Sequence, residues 1–286
     1  MAAHTDPDRY DEVAETFDRY SERTGGPLTE CFVEMTEMRA GLHTLDVACG
    51  SGIATRRAAE AVGPNGRTVG IDLSPGQVRV ARSRGPDRIE YIVMDAMSLD
   101  FPDRSFDVVT ARYPHFPGRA GALREIARVL RPAGRIAICH GGGGPPRWPL
   151  AARAAADEPP AEASVDNLFL SLMGERFPEL TGARAGNAPA SSVDPSTALA
   201  DDLRDTGMND IALWSFSYRS PFRSAADAWQ WEVVRHSAYR MAAHTLSEAD
   251  VAGFRSAYHA RAEAILAEHG VLSMGTGAMF GVATRR

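Results

Sequence analysis

The chain has 286 residues, 44% of them hydrophobic and 24% charged, which is enough apolar material for a sizeable globular core. Its formal net charge is -6, with 37 acids against 31 bases, and no basic stripe exists to follow a nucleic-acid backbone. Every one of those bases is arginine, so neither Schiff-base chemistry on a lysine nor the lysine of a P-loop is open to it.

In chain order, Asp6 to Met38 is mostly charged, with apolar residues at roughly helical spacing, and predicts two helices broken at Gly25-Gly26-Pro27. Short β-rich runs then alternate with helical patterns, the pattern of βαβ units and a parallel sheet. Strands are expected at His43–Ala48, Arg67–Asp72, Ile89–Met94, Phe106–Ala111 and Arg135–His140, with helices at Gly52–Val62, from Ser74-Pro75 to about Arg84, and at Ala120–Leu130. Ser74 before Pro75 reads as an N-cap with proline at the first helical position, and Arg131-Pro132-Ala133-Gly134 reads as a turn.

After His140 the glycine and proline run 141–146 predicts a loop or hinge, and 149–192 predicts short helices around Leu168–Met173. Further helices are expected at Ser196–Asp205, Ser224–Ala243 and Ser247–His269, with strands at Ile211–Tyr218 and Ala278–Thr284. On the helix from Ser224, Trp229, Val233, His236 and Arg240 share one stripe; the plain expectation is that the first two pack and the last two reach solvent.

Three scattered cysteines, Cys31, Cys49 and Cys139, make neither a disulfide framework nor a zinc site, and the eight histidines show no paired ligand spacing, so no metal is expected. The first residues hold no apolar leader core, and no run approaches the about 18 apolar residues of a membrane span. A cytoplasmic chain without membrane or nucleic-acid partners is the expectation, its oligomeric state open.

The chemistry gathers at strand ends. Leu45-Asp46-Val47-Ala48-Cys49-Gly50-Ser51-Gly52 puts an acid on a strand ahead of a small-residue turn into a helix, where a ligand can approach the backbone and meet unpaired N–H groups. Twenty residues on, Asp72 ends the next strand, where a carboxylate can accept both hydroxyl hydrogens of a ribose diol. A nicotinamide dinucleotide is the rival ligand, but Gly50-Ser51-Gly52-Ile53-Ala54-Thr55 supplies only two of that fingerprint's three glycines. A third acid, Asp95, follows strand three and could accept from an exocyclic adenine amine.

These runs, with Gly70–Ser74, Phe106–Val109 and Ala122–Pro132, resemble class I S-adenosylmethionine-dependent methyltransferases, nearest to the ubiquinone/menaquinone C-methyltransferase-like small-molecule subgroup. The likeness covers about residues 10 to 140. It implies an α/β, Rossmann-like, seven-stranded and mostly parallel sheet with an antiparallel last strand, N-terminal helices and helical lid insertions. The implied layout is one domain over 1–286: an N-terminal helical lid at 1–42, a cofactor-binding core at 43–140, and acceptor-site insertions at 141–195 and 219–277. It further implies S-adenosylmethionine as cofactor, with Asp46, Ala48, Gly50 and Gly52 holding the methionine portion, Asp72 the ribose with Leu73 beside it, Asp95 and Ala96 the adenine, and Arg112 and Tyr113 beneath the cofactor. Ala48, Met94 and Ala133 depart from glycines frequent in that family, but no carboxylate is lost.

Methyl transfer from a sulfonium is an in-line displacement with a neutral leaving group, so the protein supplies alignment, desolvation and sometimes a base. His115 and His140, at the ligand edge, are the candidate bases for a small-molecule oxygen, carbon or nitrogen acceptor of secondary metabolism. The alternatives are a cyclase or isomerase of natural-product biosynthesis that uses the sulfonium only as a fixed charge, a hydride-transfer enzyme, and a non-catalytic interaction module.

Overall fold

In the computed structural model, residues 10–116, 118–141, 159–178 and 195–286 are described. The first half alternates as read from the sequence: α1 (Ala14–Met35), β1 (His43–Val47), α2 (Ile53–Val62), β2 (Arg67–Asp72), α3 (Pro75–Arg84), β3 (Ile89–Val93), β4 (Phe106–Arg112), α4 (Arg119–Val129) and β5 (Leu130–Gly141). There follow α5 (Leu168–Arg176), α6 (Pro195–Asp205), β6 (Met208–Phe222), α7 (Ala225–Arg235), α8 (Ser237–Ala243), α9 (Glu248–His269) and β7 (Leu272–Arg285). The seven strands form one sheet in the order β3-β2-β1-β4-β5-β7-β6. β1 pairs in parallel with β2 and β4, β2 with β3 and β4 with β5, whereas β7 runs antiparallel to β5.

The central strands are nearly continuous apolar runs because both faces are covered. Leu45, Val47, Val69, Ile71, Val109, Ile136 and Ile138 pack in one buried cluster with Leu123 and Ile126 of α4 and Leu199 and Leu203 of α6. A smaller cluster joins Ala59 of α2 and Val78 and Ala81 of α3 to Tyr91 of β3 and Cys49. Strand order reverses between β1 and β4, which opens a crevice at the carboxyl ends of the strands, where open α/β sheets take ligands. All three cysteines are free and buried.

Several elements differ from the sequence expectation. α1 is one helix that carries Pro27 inside it, not two helices. Thr24 and Thr29 return hydroxyl hydrogen bonds to the carbonyls of Tyr20 and Gly25 at 2.7 and 2.8 Å. The expected turn at 131–134 is a bulge within β5: Leu130 pairs with Phe106 and pairing resumes at Arg135 opposite Val108, with Ala133 at φ +60. The helix expected from Ser224 to Ala243 breaks at His236 into α7 and α8. Arg240, expected in solvent, is 5% exposed and donates to the carbonyls of Val233 and Val234, closing the C-terminal end of α7. The loop expected at 142–146 lies outside the described residues.

The chain divides into two compact units, one of residues 1–151, 194–216 and 277–286, the other of residues 152–193 and 217–276. The first holds the sheet's parallel core. The second gathers Phe169, Trp229, Tyr239, Phe254 and Tyr258, with Phe169 5.0 to 5.4 Å from Trp229, Tyr239 and Phe254. β6 and β7 run further than expected, and Asp166 of the second unit explains part of the excess. Its carboxylate accepts from Gly275 N at 2.6 Å and Arg219 NH1 at 3.3 Å, partners that no local pattern displays.

Candidate functional site

The turn after β1 is built from left-handed residues: Ala48 at φ +56, Gly50 at +54 and Gly52 at +83. Gly52 is also the N-cap of α2 and offers no side chain to that helix's first amides, which leaves a backbone donor site for an anion. A Cβ on Gly52 would lie 2.5 Å from the Tyr91 hydroxyl oxygen, so only glycine fits both the angle and the space. Ala48 adopts without glycine an angle that costs an L-residue roughly 1 kcal/mol.

Asp46, Asp72 and Asp95 lie at or just past the carboxyl ends of β1, β2 and β3, three adjacent strands, but their carboxylates differ in role. Asp46 is 2% exposed, and its two oxygens accept from Thr55 Oγ1 at 2.6 Å and Thr110 Oγ1 at 2.8 Å. Asp46, expected to hold the methionine portion, is buried beneath the turn, and these two hydrogen bonds fasten α2 and β4 to it. Burial pushes its carboxyl above the usual range, against the two threonine hydrogen bonds and the Arg112 charge.

Asp72 accepts from Gly50 N at 2.8 Å through one oxygen and from Ser74 N at 2.9 Å through the other, tying the end of β2 to the glycine turn. Each oxygen keeps a second lone pair for a diol hydroxyl. Burial raises this carboxyl too, and the nearby Asp11 adds to the rise. Leu73 beside it is an apolar residue left 44% exposed. Asp95 is exposed and accepts from Met97 N at 2.8 Å, closing a local Asx turn next to half-buried Ala96.

Asp11 went unnoticed in the sequence. It accepts from Ser74 Oγ and, at 2.7 Å, from Gly76 N, so the N-terminal segment shares in capping α3. The Phe17 ring lies 3.5 Å from the Cβ position of Gly50, and Arg56 of α2 donates to Ser51 O at 2.8 Å while pairing with Asp18 and Glu22 of α1. Gly25 explains the glycine pair inside α1: its Cβ position is 2.8 Å from Arg112 NH1, so the guanidinium packs where a side chain would stand. Tyr113, at φ +51, donates its hydroxyl to Gly277 O at 3.0 Å; the group expected beneath the cofactor ties the end of β4 to β7.

The two histidines separate. His115 is exposed, with its ring centroid 6.2 Å from that of Tyr10. His140 lies at the end of β5; burial, then the Arg119 guanidinium, lowers its pKa from 6.5 to about 4. A proton accepted by His140, one of the two expected bases, would be held against that burial. The sign gives a prediction. The unfolded imidazole binds a proton near pH 6.5 that the folded one refuses until about pH 4, so His140 lowers stability as pH falls through that window. His140→Asn is expected to remove on the order of 1 kcal/mol of the loss, after discounting for partial solvent screening, between about pH 7 and about pH 5. Urea unfolding of both proteins at the two pH values checks it; parallel losses would refute it.

The donor set suits an adenosyl sulfonium: two carboxylates with spare lone pairs, an apolar residue beside them and an uncapped helix start. Residues 45–138 match the family described as a methyltransferase domain. Nocamycin O-methyltransferase of Saccharothrix syringae is 32% identical over 237 residues, covering 78% of this chain and 79% of its own length. The aklanonic acid methyltransferase DauC of a Streptomyces species is 37% identical over 135 residues, 45% of this chain and 61% of its own length. The solved YcgJ protein of Bacillus subtilis shares the fold at a TM-score of 0.50 and 19% identity, covering 90% of this chain and 97% of that one. Sequence, sheet order and turn agree: this chain belongs to the class I S-adenosylmethionine-dependent methyltransferases.

Proposed function

We propose that the protein transfers a methyl group from S-adenosylmethionine to an oxygen of a small secondary-metabolite acceptor. The observation that carries the oxygen is the likeness to nocamycin O-methyltransferase over 78% of the chain, well beyond the cofactor-binding core. When bound, the cofactor supplies an electrophilic methyl on a sulfonium, with a neutral thioether as leaving group.

In this reading Asp72 accepts the ribose hydroxyls, Leu73 lies against the nucleoside, Asp95 and Ala96 meet the adenine edge, and the first amides of α2 receive the methionine carboxylate. Asp46 positions the turn from below, Ala48, Gly50 and Gly52 give close backbone approach, and Arg112 and Tyr113 shape the floor at the end of β4. His115 is kept as a residue that contacts the acceptor. The segments 141–195 and 219–277 select the acceptor, which is a metabolite and not a nucleic acid, and the reaction takes place in the cytoplasm.

The test is to incubate the protein with labelled S-adenosylmethionine and a panel of polyketide-type hydroxyl compounds, and to measure S-adenosylhomocysteine against methylated product. Equal amounts of both are expected, with label on oxygen. Conversion of an acceptor with no S-adenosylhomocysteine would instead establish the cyclase alternative, and calorimetry without cofactor binding would end the proposal.

A further inference from the structure

The segment that carries Asp95 is fastened to α4 at two points, all within the first compact unit. At its far end Leu99 N donates to Glu125 Oε2 at 2.8 Å, and Arg128, itself paired with Glu125, donates to Leu99 O at 2.8 Å. Leu99 and Phe101 beyond it are buried in the core. Met97 makes the second attachment. Its terminal methyl lies 2.8 Å from the Cβ position of Gly118, and its sulfur lies 3.4 Å from that of Gly121, with the methyl nearer still. Side chains on these two residues would claim the space that the thioether fills. Gly118 is the N-cap of α4 and Gly121 stands in its first turn, where glycine weakens a helix relative to alanine. Neither backbone is left-handed, so chain geometry does not demand glycine at either place; room for Met97 accounts for both.

Met97 also reaches the site through its backbone. Its N–H donates to Asp95 Oδ1 at 2.8 Å, the one hydrogen bond made to that carboxylate among the described residues. The residue seated in the glycine notch is therefore the residue that aims an otherwise exposed acid. We infer that Met97 is a positioning residue for base recognition: seated over Gly118 and Gly121, it holds the Asp95 carboxylate where it selects a purine bearing an exocyclic amine. This rests on the reading above in which Asp95 meets the adenine edge. A fixed carboxylate accepts from the amine of adenine and is repelled by the oxygen that replaces it in hypoxanthine. A carboxylate released from its turn swings in solvent and does neither, so the seat of Met97 governs which base is preferred.

Calorimetry on the full-length protein compares S-adenosylhomocysteine with S-inosylhomocysteine, in which oxygen stands in place of the amine. Wild type is expected to prefer the adenosyl compound by about tenfold or more, the worth of a hydrogen bond to a charged group. Met97→Ala is expected to bring the ratio of the two dissociation constants down to that of Asp95→Ala. Because the readout is a ratio, a general loosening that weakens both ligands alike leaves it unmoved. Met97→Leu, which refills most of the notch, is expected to keep the ratio within about threefold of wild type. A wild-type ratio in Met97→Ala, or a leucine variant as indifferent to the base as the alanine one, overturns the role of Met97, while loss of preference in Asp95→Ala still upholds the adenine site. If wild type binds neither ligand or shows no preference, or if Asp95→Ala keeps the preference, the reading of Asp95 falls and the role of Met97 with it.

Discussion

Gly52→Ala is expected to lower the affinity for S-adenosylmethionine by about 100-fold or more and stability by roughly 2 to 4 kcal/mol. Two independent penalties act at this position. The backbone is at φ +83, where an L-residue is strained, and the new Cβ would lie 2.5 Å from the Tyr91 hydroxyl oxygen and 2.9 Å from two of its ring carbons. The ring has little room to retreat, because Tyr91 is 5% exposed and packed in a buried cluster with Cys49, Val78, Ala81 and Ile89. The strain must therefore pass into the turn that the ligand approaches. Combining Gly52→Ala with Tyr91→Leu should recover part of the stability, since space returns while the dihedral cost remains, and the two substitutions will not add. Calorimetry and thermal melts measure both effects. An alanine variant that binds the cofactor within threefold of wild type would show that the turn tolerates what its geometry forbids.

Asp72→Ala should be next in size, with the dissociation constants for S-adenosylmethionine and for S-adenosylhomocysteine rising by a common factor of about 100 or more. Hydrogen bonds to a charged group contribute on the order of 1.5 to 3 kcal/mol each, and a ribose diol would make two. The equality is the sharper part of the expectation, because the ribose is present before and after methyl transfer. The substitution also strips the Gly50 and Ser74 amides of their acceptor, so a stability loss of about 1 to 2 kcal/mol should accompany it. If stability falls and both affinities hold, Asp72 is only an anchor for the turn.

The parallel core was legible because each of its boundaries is marked locally. The Ser74 cap accepts from Gln77 N at 3.1 Å with Pro75 behind it, and the apolar runs of β1, β2, β4 and β5 are long enough to demand cover on both faces. Legibility stopped where a residue's role depends on a partner far along the chain. An acid ending a strand looks the same whether it faces a ligand, as proposed for Asp72, or is taken by Thr55 and Thr110, as Asp46 is. The glycines at 25 and 26 read as a helix break, yet Gly25 keeps α1 continuous while leaving room for Arg112 from β4. Asp11 could not have been found, since its partners Ser74 and Gly76 lie more than sixty residues away. The pairing of Glu232 with His236 could have been: the two stand four residues apart, a spacing that brings side chains together on a helix, and only the expectation that His236 reached solvent hid it.

The burial of all three thiols makes the folded chain nearly silent towards maleimides and disulfide reagents. Cys31, Cys49 and Cys139 are 2%, 8% and 0% exposed, and burial pushes the Cys31 and Cys139 thiols up to about 12, so hardly any thiolate forms at neutral pH. Labelling can then proceed only through opening, which turns the rate of thiol modification into a clock for local and global unfolding of the sheet. A single cysteine introduced on the surface would carry a fluorophore without first removing the native three, and with no lysine in the chain, side-chain amines would not compete for the dye.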